Sequence, residues 1–298
     1  MRKAHTSYPT SIASPIATPS ARKLTRLPSA PEHDRLDGQS RVLVAMMHNK
    51  PFHAPVTAPR RILDIGCGTG AMTYVLATAF PDAQVIGLDI SPVPEDRYGR
   101  VPNLTYVQGD VVTIGESDER FAEGGFDYVF HRLLFLGMTD WEGYAAKVAR
   151  LLAPGGWAEM QDYDMTIYDG EGEDVSGQWW HWTAFREDAA AMGLDMEVGR
   201  KLESLMRGAG LQAVEKKMYD VPCTYWDDMP EHLKPVGKHM GGMMYQDGYA
   251  RALMTRVCGG RRGEEELERM IVAGNEKYQS VKAGDHAKMG VAWGRKAA

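Results

Sequence analysis

Cysteine is scarce: Cys67, Cys223 and Cys258 are the only three in 298 residues, scattered, with no CxxC pair and no Cys/His cluster. Such spacing holds neither a thiolate metal site nor a disulfide framework, so no metal is expected and packed, reduced thiols are. Long apolar runs are also missing. No stretch approaches the roughly 20 residues of a bilayer-spanning helix, and the first residues lack the apolar centre of a secretory signal. An excess of positive charge is absent too: 34 Lys and Arg face 40 Asp and Glu, a net charge of -6. Neutralising a phosphate backbone is therefore not the expected task, and nucleic acid is not an expected partner. The expectation is a chain without a membrane span, placed in the cytoplasm, with the nucleus as the alternative. What is present is a hydrophobic content of 44%, enough to bury a full core in one large domain.

Residues 1–30 are rich in Ser, Thr, Pro and Ala, carry Arg2, Lys3, Arg22, Lys23 and Arg26, and read as a basic disordered tail. The remainder, 31–298, reads as a single domain. Its N-terminal segment, 31–58, opens with a helical pattern from Glu32 to Met47 that Pro51 and Pro55 end. Five short apolar runs follow, RRILDIG, AQVIGLDI, LTYVQGD, FDYVFHRLL and GGWAEMQDYD. Helical stretches lie between several of them: Thr69 to Phe80 stopped by Pro81, and a helix capped by Asp140 and closed by Pro154-Gly155-Gly156. Near-continuous apolar strands alternating with helices specify an α/β fold, a Rossmann-like doubly wound, mostly parallel sheet. A helix from Met196 to Gly208, a sixth strand over Gln212 to Val221 and a last one over Lys288 to Lys296 complete the pattern. Two segments exceed it, 163–193 with Trp179, Trp180, His181 and Trp182, and the methionine-rich 222–285. Both follow strands whose carboxyl ends border the ligand crevice of such sheets, so both are expected as helical lids.

The string Asp64-Ile65-Gly66-Cys67-Gly68-Thr69-Gly70 follows the first strand and opens a helix. Glycines there permit positive φ and close approach of a ligand to backbone, and the helix start offers free N–H groups. No Lys-Ser or Lys-Thr follows, so the turn is not a phosphate loop. The spacing is G-x-G-x-G where dinucleotide sites have G-x-G-x-x-G, and Asp64 stands two residues before Gly66. A carboxylate at that place suits a ligand bearing an ammonium and a sulfonium better than a pyrophosphate. Asp89 ends the second strand and is expected to accept from ribose hydroxyls, with Ile90 beside it; a helix cap or turn acid is its bland alternative. Asp110 closes the third strand and is expected to accept from an adenine amino group while Val111 offers a backbone donor; a solvent-facing turn aspartate is its other reading.

D-I-G-C-G-T-G, the acid after the second strand, G-D after the third and L-x-P-G-G before the fifth together resemble class I methyltransferases. More narrowly the chain resembles fungal methyltransferases related to the secondary-metabolism regulator LaeA. E-H-D-R-L-D at Glu32, H-R-L-L at His131, D-W-x-x-Y at Asp140, P-G-G-W-A-E-M-Q-D at Pro154 and G-L-D-M-E-V-G-R-K-L at Gly193 carry that resemblance. It implies S-adenosylmethionine as cofactor and a small secondary metabolite as methyl acceptor, O-methylation being favoured. Two alternatives stay open: a LaeA-like regulator working through protein partners, and a methyltransferase-fold protein that catalyses a rearrangement without methyl transfer.

Methyl transfer from a sulfonium is an in-line displacement, for which a protein supplies alignment, water exclusion and, for a hydroxyl acceptor, a base. His131, after the fourth strand, is a candidate base because imidazole titrates near neutral pH; a bond to backbone or cofactor is its other reading. Arg132 is read as pairing with a cofactor or substrate carboxylate, or with a structural acid. Gln161, Asp162 and Asp164 end the fifth strand, and Asp162 is a candidate to share catalysis. His181, within Trp179 to Trp182, is a further candidate base or a packed core residue. Met240, Met243, Met244 and Met254 with Tyr245 form a stretch able to mould to an apolar substrate or to pack as core.

Overall fold

A computed structural model of the protein describes residues 30–94, 96–116, 118–245 and 247–298. The tail expected over 1–30 lies outside them except for Ala30. Each apolar run becomes a strand: β1 (Arg61–Ile65), β2 (Gln84–Asp89), β3 (Leu104–Gln108), β4 (Phe126–Arg132) and β5 (Leu152–Tyr168). They are joined by β6 (Gln212–Pro222) and β7 (His286–Arg295) in one sheet of order β3-β2-β1-β4-β5-β7-β6. The first five pair in parallel, and β7 runs antiparallel to both β5 and β6. The strand order reverses at β1, which pairs with β2 on one side and β4 on the other, and this opens a crevice beyond the carboxyl ends of β1 and β4.

Helices cover the sheet because parallel strands buried on both faces leave no face for water. They are α1 (Ala30–Met46), α2 (Ala71–Ala79), α3 (Trp141–Leu151), α4 (Trp180–Ala191) and α5 (Val198–Gly208). The stretch between β6 and β7 holds α6 (Lys234–Tyr245), α7 (Asp247–Cys258) and α8 (Glu264–Tyr278). Asp140 caps α3, its side chain accepting from the Gly143 N–H at 2.8 Å. On α5, Val198, Leu202 and Met206 recur every four residues and are fully buried, each worth about 1.5–3 kcal/mol of removal from water. That helix lies against the sheet where Gly199 meets Gly290 of β7. A Cβ on either would run into the other's backbone or that of β5.

Some boundaries differ from the sequence reading. The helix expected from Thr69 starts at Ala71, because Gly70 is left-handed at φ 83 and sits against the Tyr106 ring. β5 runs on to Tyr168, held by its antiparallel pairing with β7, so the first six residues of the stretch 163–193 are strand. β3 ends at Gln108, which places Asp110 in the turn beyond it.

Candidate active site

The crevice is the mouth of a cavity of about 920 Å³ that continues from the glycine turn to the space beneath α4, α6, α7 and α8. At the turn, Gly66 and Gly68 hold φ of 67 and 56. A Cβ on Gly68 would meet nothing nearer than Leu36 Cδ1 at 4.0 Å, so the backbone there faces open space. Gly66 N and Cys67 N both donate to the Leu88 carbonyl, at 2.7 and 3.1 Å, which ties the turn to the end of β2. Asp89 accepts from Gly68 N and Ser91 N, each at 2.8 Å. A carboxylate has about four acceptor positions, so two remain for a ligand. Burial raises the Asp89 pKa, opposed by these two bonds.

Asp64 is buried, and burial pushes its carboxyl up to about 7 although the Thr73 hydroxyl donates to it at 2.7 Å. Arg132 donates to Gln161 Oε1 at 2.7 Å and to the Pro51 carbonyl at 3.0 Å. Among the described residues it forms no ion pair. Burial lowers its pKa to about 10, with the charges of Glu159 and Asp64 acting the other way. A buried cation paired only to neutral groups is costly, and the wall it occupies suits an anionic group of a ligand.

Of the cofactor residues expected from sequence, Asp64, Gly66, Gly68, Thr69, Asp89, Ile90, Asp110, Val111 and Arg132 all line this cavity. Gly70 does not; it stands one step behind, turning the chain into α2. Asp110 accepts from Val112 N at 2.9 Å, and Val112 and Ile90 are exposed apolar side chains on the same rim.

The three expected catalytic side chains are not brought together on the wall. His131 is 1% exposed, its Nδ1 bonded to the Tyr144 hydroxyl at 2.8 Å and its Nε2 3.8 Å from Asp162 Oδ2. Burial drives its pKa down to about 3. Asp162 is fully buried and accepts from Leu134 N at 2.8 Å and Tyr163 N at 2.9 Å; burial, partly opposed by those bonds, raises it to about 8. His181 packs between Trp179 and Trp180 and borders a separate small void between α4, α7 and α8, its pKa lowered to about 4 by burial and by Lys277. Asp164 is bound by Arg200 at 2.8 Å. Among the described residues no histidine lines the main cavity.

Sequence reasoning missed the contribution of α1. Asp37 accepts from the Thr69 hydroxyl at 2.5 Å and from Arg97, strapping α1 over the turn. Glu32, Arg35, Leu36 and Gln39 line the cavity, and Gln39 donates to the Tyr163 hydroxyl at 3.4 Å. The signal was in the string E-H-D-R-L-D, whose four acidic and basic residues all form ion pairs, Glu32 and Arg35 with each other on the cavity wall and Asp34 and Asp37 with Arg97. Leu133, at φ 61, turns the chain so that Leu133, Leu134 and Phe135 form the wall beside the turn. Of the methionine stretch, Met240 and Met243 line the cavity while Met254 borders the small void; the side chains of Met244 and Tyr245 lie outside the described residues.

A sheet in this order with a glycine turn and an acid at the end of β2 defines the class I methyltransferase fold, an S-adenosylmethionine-dependent class. The family model described as "Methyltransferase domain" matches residues 38–216, more than half of the chain. The chain belongs to that family. It is 36% identical over 138 residues to the secondary metabolism regulator laeA of Coprinopsis cinerea, an overlap of 44% of this chain and 33% of that protein. It is 27% identical over 216 residues to methyltransferase str3 of Strobilurus tenacellus, covering 72% and 75%. Among solved structures, Haemonchus contortus phosphoethanolamine N-methyltransferase 2 in complex with S-adenosyl-L-methionine matches with a TM-score of 0.50 at 18% identity, over 87% of this chain and 52% of that one. Among the described residues no helix is long and apolar enough to cross a membrane, and no three His, Cys, Asp or Glu residues group to hold a metal ion.

Proposed function

We propose that the protein methylates an oxygen of a small, largely apolar metabolite. The observation that carries this reading is the continuity of one cavity, from the glycine turn with its acids to a chamber walled by Phe135, Met165, Trp182, Phe185, Met240 and Met243. S-adenosylmethionine supplies a methyl group already activated on a sulfonium. The open backbone at Gly68, the two remaining acceptor positions of Asp89 and the unpaired Arg132 fit its turn, ribose and carboxylate respectively. Ile90 and Val112 offer apolar faces for its base, with Asp110 and Val111 at its polar edge.

The chamber's own contribution is alignment and exclusion of water. With His131 and His181 off the wall, the acceptor oxygen brings its own acidity or gives its proton to water. His131 and Asp162 act through position: Asp162 holds Leu134 N and Tyr163 N, fixing the wall on either side of the reacting space.

Calorimetry with S-adenosylmethionine tests the reading. Binding is expected in the wild type and a loss of roughly ten-fold or more for Asp89→Ala, in line with about 1.5–3 kcal/mol for hydrogen bonds to a charged group. Unchanged binding in Asp89→Ala and in Gly68→Val would overturn it. The similarity to LaeA favours a second reading, a regulator working through protein partners. Affinity capture of the full chain separates the two, since the enzyme reading requires turnover without a partner.

A further inference from the structure

Resting on the methyltransferase reading, a second cation of the cavity identifies the acceptor's chemistry. Arg256, on α7, lines the chamber beside Tyr249 and Leu253 and donates through Nη2 to the Leu136 carbonyl at 3.0 Å. Among the described residues no carboxylate forms an ion pair with it. Its neighbour Arg35 differs: Glu32 takes its Nε and Nη2 at 2.7 and 2.6 Å, and its guanidinium lies 4.5 Å over the Tyr249 ring. Arg256 is thus the cation on the acceptor side that the protein leaves without a counter-ion. Arg256 is exposed at the rim of the chamber, with its guanidinium turned inward far enough that partial desolvation lowers its pKa from the ordinary arginine value, Tyr249 and Glu32 pulling the other way; an anion bound there would meet a cation that water only partly serves.

A guanidinium in that state is matched by a planar carboxylate. One unpaired cation with Glu32 nearby balances a single negative charge, which favours a carboxylate over a doubly charged phosphate ester. We propose that the acceptor is an apolar carboxylic acid whose carboxylate pairs with Arg256 while its hydrocarbon body lies against Phe135, Trp182 and Met240. A carboxylate is ionised at neutral pH and asks for no general base, consistent with a chamber wall that carries no imidazole among the described residues.

The test is calorimetry on the full chain saturated with S-adenosylhomocysteine. Three apolar acids, 2-naphthoic, phenylacetic and decanoic, are compared with their primary amides. At least one acid is expected to bind ten-fold or more tightly than its amide; Arg256→Gln erases the preference, and Arg256→Lys keeps part of it. Absence of an acid preference in every pair, or a preference that survives in Arg256→Gln, overturns the proposal. Should the glutamine variant unfold, the lysine variant decides, because a preference equal to wild type there means the guanidinium fork is not the partner. Failure of S-adenosylhomocysteine to bind the wild type would instead strike the methyltransferase reading itself.

Discussion

His131, near the carboxyl end of β4, and Asp162, within β5, meet beneath the cavity, Nε2 3.8 Å from Oδ2, too far apart for a hydrogen bond and both closed to solvent. Burial drives the imidazole down to about 3 and the carboxyl up to about 8, so near neutral pH the pair stands uncharged. A neutral pair in this position is part of the floor of the site.

For His131 this predicts a rate profile without a limb near pH 6.5 that belongs to its ring. His131→Asn is expected to keep the shape of the kcat profile while losing stability. The Tyr144 hydroxyl gives up its bond to Nδ1, a cost of about 1–3 kcal/mol. A limb between pH 6 and 7 that vanishes in the variant would identify the ring as a base after all.

For Asp162 the sign runs against alkali. Its folded pKa lies above the ordinary 3.8, so between pH 4 and 8 the unfolded chain holds fewer protons and stability falls as pH rises. His131, lowered from 6.5, acts oppositely between about 3 and 6.5, and Asp64 adds its own decline up to about 7. From pH 7 to 8 Asp162 dominates among these three. Urea unfolding of wild type should show stability dropping across that window, by at most about 1.4 kcal/mol per pH unit, and Asp162→Asn should show a flatter line. Equal slopes would mean that Asp162 is ionised throughout.

Glu159 anchors the loop between α1 and β1 by accepting from His53 N at 2.6 Å, Ala54 N at 2.7 Å, the Tyr128 hydroxyl at 3.0 Å and Gln161 Nε2 at 2.6 Å. Glu159→Ala removes an acceptor from four donors, of which Gln161 Nε2 alone keeps a second partner, the Pro51 carbonyl, and is expected to cost about 3–5 kcal/mol, as when one partner of a buried ionic network is removed. At about 2–4 °C per kcal/mol for a chain this size, calorimetric unfolding should move down by roughly 6–20 °C.

The glycine turn and the strands around it were legible because each rests on a local rule. Gly66, Gly68 and Gly70 need positive φ, and runs such as Gln84–Asp89 are too uniformly apolar to face water. The catalytic expectations fared differently, since they turned on a side chain's direction. His131 stands at the expected strand end, yet Tyr144, thirteen residues further on, draws its ring inward, and no periodicity encodes that. The α1 strap was hidden for a similar reason: Asp37 and Thr69 become partners only once the helix folds back over the turn. Arg256 carries no signal in the sequence because its meaning depends on which carboxylates lie near it in space.

The insertion of β7 between β5 and β6 makes the end of the described chain the seam of its sheet. Val221 and Ala287, paired across the β6–β7 junction, both face the cavity, and Gly290 lies against Gly199 of α5. A truncation that removes β7 therefore takes away the partner of both β5 and β6 and part of the seat of α5, while β1 to β4 keep every pairing among themselves.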